Sequence, residues 1–243
     1  MSHPNSEPVQ ENGFTTGGDA MADSPELDLS GTADAPRADR PSDPIDDANA
    51  LAAGGQMSAG IAALRTVIAR EASNTRARAS LAVLLERRGD VEGAVAEITR
   101  ALETAPEDVS LLCSRAALHA ARGRFDQAEL DLRRAAKADA GNPEVHVQLG
   151  MLFSKRARWR EAVEPLLAAV AADPARADAH YYLGEAYNHI DDLTAALASY
   201  EAAAELQPTH QRALKGIGVA LDRLGRPADA AAAYRRLREA QKR

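Results

Sequence analysis

The sequence repeats itself with a period of 34 residues, and each repeat carries small and large apolar residues at fixed places. One column of the 34-residue alignment is all alanine, a second is alanine or glycine, a third is large, and a fourth is alanine with one leucine. These columns are Ala94, Ala128, Ala162, Ala196, Ala230; Ala82, Ala116, Gly150, Gly184, Gly218; Ile98, Leu132, Leu166, Tyr200, Tyr234; and Ala101, Ala135, Ala169, Ala203, Leu237. A regular period of this length indicates a chain of similar units that stack on one another.

Within each unit, the apolar spacing predicts two helices joined by a tight turn. The first helix has apolar residues at i, i+3 and i+4, as at Leu81, Leu84 and Leu85, which is the spacing of one helix face. The predicted turns are Gly89-Asp90, Gly123-Arg124, Ala157-Arg158, Asp191-Asp192 and Gly225-Arg226. Glycine suits the left-handed conformation that ends a helix. Pro165 lies about two turns inside a predicted second helix, where we expect it to bend the helix.

The small residues in the eighth and twentieth places of each unit have a packing role. Alanine or glycine there lets two helix axes approach closely, whereas a larger side chain would push them apart. In-register prolines predict the end of the second helix, since proline cannot continue one. They are Pro106, Pro174 and Pro208, with Ala140 in the missing place.

A 34-residue helix pair with these residues resembles the tetratricopeptide repeat. The unit from 177 to 210 matches most fully, through Leu183, Gly184, Tyr187, Ala196, Tyr200, Ala203 and Pro208. The resemblance implies an all-α fold, a right-handed superhelical solenoid of antiparallel helix pairs. Its units are 75–108, 109–142, 143–176, 177–210 and 211–243, preceded by a degenerate unit, 48–74. That first unit has Gly60, Leu64 and Val67 in register, and its first helix is expected at about Asp47–Ala53. Unit 109–142 departs from the pattern, with Arg115 in place of leucine.

Residues 1–47 differ in composition from the array that follows them. They hold six of the twelve prolines and carry 11 acidic against 2 basic residues, a net charge of −9, whereas residues 48–243 carry +2. A segment with so little apolar content does not offset the entropy of ordering. We therefore predict a disordered tail that acts as a spacer or carries a short motif near Leu27 and Leu29. The nearly neutral array gives nucleic-acid binding no electrostatic support.

The sequence offers no constellation typical of a cofactor, a metal or catalysis. A single cysteine, Cys113, excludes an intrachain disulfide and a multi-cysteine metal site. No phosphate-binding loop, zinc helix or nucleophile elbow occurs. His146 and His180 occupy one column, and His189 lies one helical turn from Glu185, but we interpret these histidines as packing or solvated residues rather than metal ligands. We interpret Trp159 as a core residue. We expect a non-catalytic protein without a cofactor.

The start of the chain lacks a secretory signal, and no apolar run is long enough to insert in a membrane, so we expect a cytoplasmic location.

In the family that the sequence resembles, the first helices line a concave groove. The residues projected into that groove are Ala79, Val83, Cys113, Ala117, Val147, Gln148, Met151, Lys155, Tyr181, Tyr182, Glu185, Asn188, Lys215 and Val219. We expect none of them to be needed to join one helix to the next, and many of them are apolar; such spare apolar surface is typical of a partner site. We expect Val147, Met151, Tyr181 and Tyr182 to anchor the partner.

The family's clamp for chaperone carboxyl termini needs lysine and asparagine where this chain has Ala79 and Val83, so a co-chaperone of that type is excluded.

The leading hypothesis is a scaffold or adaptor that holds a peptide or helix of a partner protein in this groove. Three alternatives stay open. The chain is also similar to secretion-type chaperones in being a small acidic repeat protein, and it could serve as the regulatory subunit of a separate enzyme. A self-assembling structural protein is the third, because the array ends without a capping helix and its last helix is left to contact another copy.

Overall fold

A computed structural model describes residues 43–242, and within them it contains twelve α-helices and no β-strand. The helices are α1 Pro44–Ala53, α2 Met57–Arg70, α3 Thr75–Arg87, α4 Val91–Thr104, α5 Val109–Ala121, α6 Phe125–Ala138, α7 Pro143–Lys155, α8 Trp159–Ala172, α9 Ala177–His189, α10 Leu193–Leu206, α11 Gln211–Arg223 and α12 Pro227–Ala240. Each odd-numbered helix packs against the even-numbered helix that follows it, and each pair packs on the next. The predicted helix pairs are confirmed from unit 75–108 onward.

The helix boundaries follow from the residues at the turns. Side chains of Asn74, Asp90, Asp108 and Asp192 accept hydrogen bonds from backbone N–H groups of the helices that they precede, which satisfies donors that the first turn leaves open. Every predicted turn adopts the left-handed conformation at its first residue. The φ angles are 88° at Gly89, 72° at Gly123, 55° at Ala157, 72° at Asp191 and 71° at Gly225.

The first helix begins earlier than the sequence indicates. α1 starts at Pro44 rather than at Asp47, because Asp43 accepts a hydrogen bond from the backbone N of Ile45 at 2.9 Å and proline is favoured in a first helical turn. Ile45 is buried. Residues 44–47 therefore belong to the array. The rest of the predicted tail, residues 1–42, lies outside the described residues.

The all-alanine column is buried inside the array, and the alanine-or-glycine column packs against the large column. The five alanines from Ala94 to Ala230 are all at most 1% exposed. A methyl group added at Gly184 would lie 2.6 Å from the Tyr200 ring, and Leu166 and Tyr234 close on Gly150 and Gly218 in the same way. The predicted close approach of helix axes is therefore confirmed. Pro165 is accommodated within a continuous α8.

Arg115 forms an ion pair inside its unit, at a place where the neighbouring units have Leu81 and Leu149. Nε and Nη2 of Arg115 donate to the two carboxylate oxygens of Asp131, at 2.8 and 2.6 Å. Asp131 is 2% exposed. Because the two residues lie on the two helices of one unit, α5 and α6, the pair joins them from inside. A buried charge is tolerated only with such a partner.

The array curves toward its odd-numbered helices. Within residues 43–242, successive odd-numbered helices contact one another, α1 with α3, α5 with α7, α7 with α9 and α9 with α11, more extensively than any two even-numbered helices do. The odd-numbered helices are therefore closer together, and they form the inner side of the curve. All of the predicted groove residues belong to these odd-numbered helices.

Candidate partner-binding groove

The concave face has a hollow between α5 and α7. Two adjoining cavities of about 300 and 540 Å³ share Ala117, Glu144 and Gln148 in their walls. We call the surface around them the central hollow. Five predicted groove residues line it, namely Cys113, Ala117, Gln148, Met151 and Lys155. The structure thus brings together the middle third of the predicted set.

The central hollow exists because one wall is made of small side chains. The exposed face of α5 carries Ser110, Ser114, Ala117 and Ala121, one helical turn apart. The residues 34 places later on α7 are longer, namely Glu144, Gln148, Met151 and Lys155. The projection from the repeat missed Ser110, Ser114, Ala121 and Glu144. Their spacing on one helix face was the available signal, since residues at i, i+4, i+7 and i+11 share a face.

Two predicted anchors are buried rather than available to a partner. Val147 is 2% exposed and packs with Ala169 and Ala179. Tyr181 is 8% exposed, and its ring lies 5.1 Å from that of Tyr182 and 6.1 Å from that of Tyr200, between ring centroids. The expectation that all the predicted groove residues are spare surface is wrong for these two. Burial raises the pKa of the Tyr181 phenol to about 12.

Toward α11, several predicted residues already have partners within the array. Glu185 accepts a hydrogen bond from the hydroxyl of Tyr200. Asn188 accepts two from Arg223, at 2.6 Å on its side-chain oxygen and 2.9 Å on its backbone oxygen. Tyr182 is only partly buried, and Lys215 is exposed. Glu185 and Asn188 are therefore engaged in contacts within the array.

The outer ends of the predicted set present small apolar side chains. Val83 is 53% exposed, and Ala79 is partly buried beside the core of the first units. Val219 on α11 is likewise partly buried. Val83 is therefore one of the most exposed large apolar residues of the described chain.

The two edges of the central hollow differ in charge. At one edge Glu144 accepts a hydrogen bond from Gln148 at 2.8 Å and pairs with Arg176 at 2.7 Å. The bond from Gln148, and then that from Arg176, lower the pKa of Glu144, so it is a carboxylate at neutral pH. At the other edge Lys155 is exposed, and no carboxylate within residues 43–242 pairs with it.

The thiol of Cys113 is a neutral part of the central hollow. Burial raises its pKa to about 11. A thiolate is the reactive form of cysteine, so at neutral pH this side chain packs as a small, weakly polar group.

The histidines and Trp159 that the sequence brings to attention have local roles. Nε2 of His146 lies 2.8 Å from the carbonyl oxygen of Ala140, and Nε2 of His180 lies 3.0 Å from that of Pro174. Trp159 is partly exposed and stacks on His189, with ring centroids 3.8 Å apart. The expectation of a core tryptophan is wrong, because the first residue of α8 lies at the turn edge, where this large ring extends over the next unit's turn.

The part of the chain that the structure describes contains no group of three metal-ligating side chains close enough to hold an ion. None of its helices is long and apolar enough to cross a membrane.

Comparison with known families decides what kind of array this is. The tetratricopeptide repeat model matches residues 45–109, 88–143, 147–210 and 190–242. The chain belongs to the tetratricopeptide repeat family. A tetratricopeptide array has the architecture of a protein–protein interaction scaffold, and such arrays are generally non-catalytic. No curated protein matches this sequence significantly.

Solved structures of other tetratricopeptide proteins share the fold. The crystal structure of MamA superposes with a TM-score of 0.63 at 23% identity, over 67% of this chain and 95% of MamA. MamA from Desulfovibrio magneticus RS-1 gives 0.64 at 22% identity, over 69% and 95%. YrrB, described as a protein with an unusual peptide-binding site, gives 0.62 at 20% identity, over 74% and 92%. At these identities the likeness shows the fold alone, a superhelical solenoid of helix pairs.

Proposed function

We propose that this protein is a non-catalytic scaffold that holds a peptide or helix of a partner protein in its concave groove. The observation that carries the proposal is the central hollow, where a row of small residues on α5 faces Met151 and Lys155 on α7. YrrB, which has the same fold, is itself described as peptide-binding. A sequence with a single cysteine forms no intrachain disulfide, which is consistent with a cytoplasmic site of action.

The chemistry of the central hollow suggests how a partner is held. Its floor is apolar, formed by Ala116, Leu132 and Leu152. Burying one leucine-sized side chain there contributes about 1.5–3 kcal/mol, which corresponds to roughly a tenfold or greater gain in affinity. The charges of Glu144 and Lys155 lie at opposite edges and would set the direction of the bound segment rather than its affinity. Met151 adapts its shape to the side chain that enters.

Filling the central hollow tests the proposal. Ala117 is exposed, so Ala117→Trp blocks the hollow without disturbing the core; Ala96, exposed on α4, gives the matched control Ala96→Trp. Partners are recovered from the native cell with the unaltered protein and quantified by mass spectrometry. The affinity of the main partner is then measured for all three proteins. We expect a loss of tenfold or more for Ala117→Trp and an unchanged affinity for Ala96→Trp.

Circular dichroism should first show that both variants keep their helicity. An affinity that survives Ala117→Trp and Met151→Ala would remove the groove from consideration. If binding were instead lost on changing Arg235 and Arg236, the contact would lie at the C-terminal end, as in the self-assembly alternative.

A further inference from the structure

A cavity of about 450 Å³ lies between α6, α7 and α8, and Pro165 forms part of its wall. We call it the Pro165 crevice. Among the described residues, its walls share none with the central hollow. Its size falls within the range of about 300–1,000 Å³ that is typical of ligand pockets. The proposed scaffold function does not use this cavity.

The equivalent place one unit earlier is filled by a flat side-chain group. There the guanidinium of Arg115 donates to Thr99 on α4, at 3.2 Å, and to Asp131 on α6. The residues 34 places later, all of which line the Pro165 crevice, are Arg133, Leu149 and Pro165. Neither leucine nor proline reaches across as the guanidinium does, so a space that suits a planar group lies open.

Pro165 also leaves a hydrogen-bond acceptor in the wall of the crevice. Proline has no N–H, so the backbone carbonyl of Glu161, four residues earlier, lacks the donor that an α-helix supplies. In the other units from residue 75 onward, residues with an N–H hold this place, namely Glu97, Asp131, Ser199 and Ala233. Glu161 itself lines the crevice, and its carbonyl is therefore free to accept a hydrogen bond from a group that enters.

The crevice has an apolar floor, and the carboxylates and guanidinium groups around it balance. Leu149 and Phe153 form the floor and are 7% and 4% exposed. Two cationic and two anionic side chains line the rest, namely Arg133, Arg160, Glu161 and Glu164. The guanidinium of Arg133 lies 5.9 Å from the centroid of the Phe153 ring, and a guanidinium attracts the face of an aromatic ring. These features favour a neutral aromatic occupant over a charged one.

We propose that the Pro165 crevice binds a tryptophan side chain of a partner protein. The indole is flat and neutral, and its single N–H donates but does not accept, which suits the Glu161 carbonyl. Arg160 and Glu164 are exposed and have no partner within residues 43–242. Because they lie one helical turn apart at the crevice, they are placed to pair with charged residues next to the tryptophan. A free ring offers no such residues, so a tryptophan within a chain is the better fit.

Two small rings that differ by one donor test the hydrogen bond. 5-Fluoroindole has the N–H, whereas in 5-fluoro-1-methylindole a methyl group replaces the hydrogen. Fluorine NMR of each ring, titrated with the full chain, gives its affinity without interference from Trp159. We expect the methylated ring to bind about fivefold more weakly, since one hydrogen bond contributes about that factor. Equal binding of the two rings would overturn the proposal.

Pro165→Ala separates the effect of the carbonyl from the bulk of the methyl group. The restored N–H bonds the Glu161 carbonyl within the helix, and alanine already holds this place at position 233. In this variant the two rings should bind within about twofold of each other. A fivefold difference that persists would show that steric bulk decides the preference, and would contradict the role of the carbonyl.

Filling the crevice locates the site. Ala168 lines it, so Ala168→Phe should weaken the binding of 5-fluoroindole at least tenfold. Ala202, partly buried at the same place on α10, gives the matched control Ala202→Phe, and Ala117→Trp blocks the central hollow instead; both should leave the binding unchanged. Loss with Ala117→Trp would place the ring in the central hollow and overturn the assignment. If circular dichroism shows that Ala168→Phe does not fold, the comparison with Pro165→Ala still decides.

Peptides distinguish a partner's tryptophan from a free ring. Capped tripeptides with 5-fluorotryptophan between aspartate and lysine, in either order, are measured in the same way. One order should bind at least fivefold more tightly than 5-fluoroindole, and Arg160→Ala with Glu164→Ala should remove that gain. Tripeptides that bind no more tightly than the ring would overturn the assignment to a partner protein.

Discussion

The Tyr200 ring on α10 packs directly against the backbone of Gly184 on α9. A methyl group added at Gly184 would lie 2.6 Å from Cδ1 of that ring, and one added at Gly216 on α11 would lie 2.7 Å from Cε1. Tyr200 is 1% exposed. One tyrosine thus joins two consecutive units, and two glycines make room for it.

Gly184→Ala should therefore destabilise the array by about 1–3 kcal/mol, the usual cost of overpacking a core. Earlier units pair alanine with a smaller side chain, as in Ala116 with Leu132. Consequently Gly184→Ala combined with Tyr200→Leu should lose less stability than the two single variants added together. Urea unfolding followed by circular dichroism gives all four free energies of the cycle. Additive effects would show that the two residues do not act on each other.

The left-handed turn residues provide a second test. Ala157 has φ 55° and occupies the place where three other units have glycine. The left-handed conformation costs a non-glycine residue about 1–2 kcal/mol, partly offset by the greater unfolded-state freedom of glycine. Ala157→Gly should raise the free energy of unfolding by up to about 1 kcal/mol.

Gly123→Ala is the matched reverse change and should lower the free energy of unfolding. A Cβ there would meet no atom within 4 Å, so only the backbone conformation is tested. Thermal melts of both variants should shift in opposite directions; shifts in the same direction would contradict the role given to this place.

Much of the fold could be predicted because its determinants repeat. Side-chain size at fixed places sets how closely helices approach, and five copies of each place make the pattern visible. The Arg115–Asp131 pair could not be predicted in this way, since it replaces the repeat's residues in one unit only. The sequence feature that could have indicated this pair was two opposite charges 16 residues apart, at places that face each other across the helix pair.

The groove was less predictable for a related reason. The projection gave each first helix the same orientation, so the fifth place was expected to be exposed in every unit. The structure buries that place in Val147 and Tyr181 and exposes it in Lys215. Exposure there depends on the side chains of neighbouring first helices, which differ from unit to unit. The expectation for Trp159 failed because its place is not a core place: Val91, Phe125 and Leu193 are also only partly buried.

A buried histidine should make the stability depend on pH. His119 is 8% exposed, and its Nδ1 has no hydrogen-bond partner among the described residues. Burial lowers its pKa below the ordinary 6.5; the nearby charges are Asp131, Arg115, Arg124 and Glu92. Between the folded-state pKa and 6.5 the unfolded chain binds more protons, so stability should fall as the pH drops below about 6.5.

His119→Phe should reduce that dependence, since phenylalanine occupies the same place at position 153. Chemical denaturation at pH 7.5 and 5.5 measures the change. His210, whose pKa burial also lowers, should account for part of the dependence that persists. A variant as sensitive to pH as the unaltered protein would show that His119 does not contribute.

The alkylation rate of Cys113 measures how far its thiol is buried and whether a partner covers the central hollow. Because burial raises the pKa of Cys113 to about 11, the thiolate is scarce at pH 7.5. Alkylation by iodoacetamide should therefore be at least tenfold slower than that of free cysteine, and its rate should climb steadily up to about pH 11.

A partner bound in the groove should slow the alkylation of Cys113 further, and a partner bound to the convex side should not. Intact-mass spectrometry over time gives both rates. Fast alkylation at neutral pH would contradict the burial of the thiol, and an unchanged rate with saturating partner would place the partner away from α5.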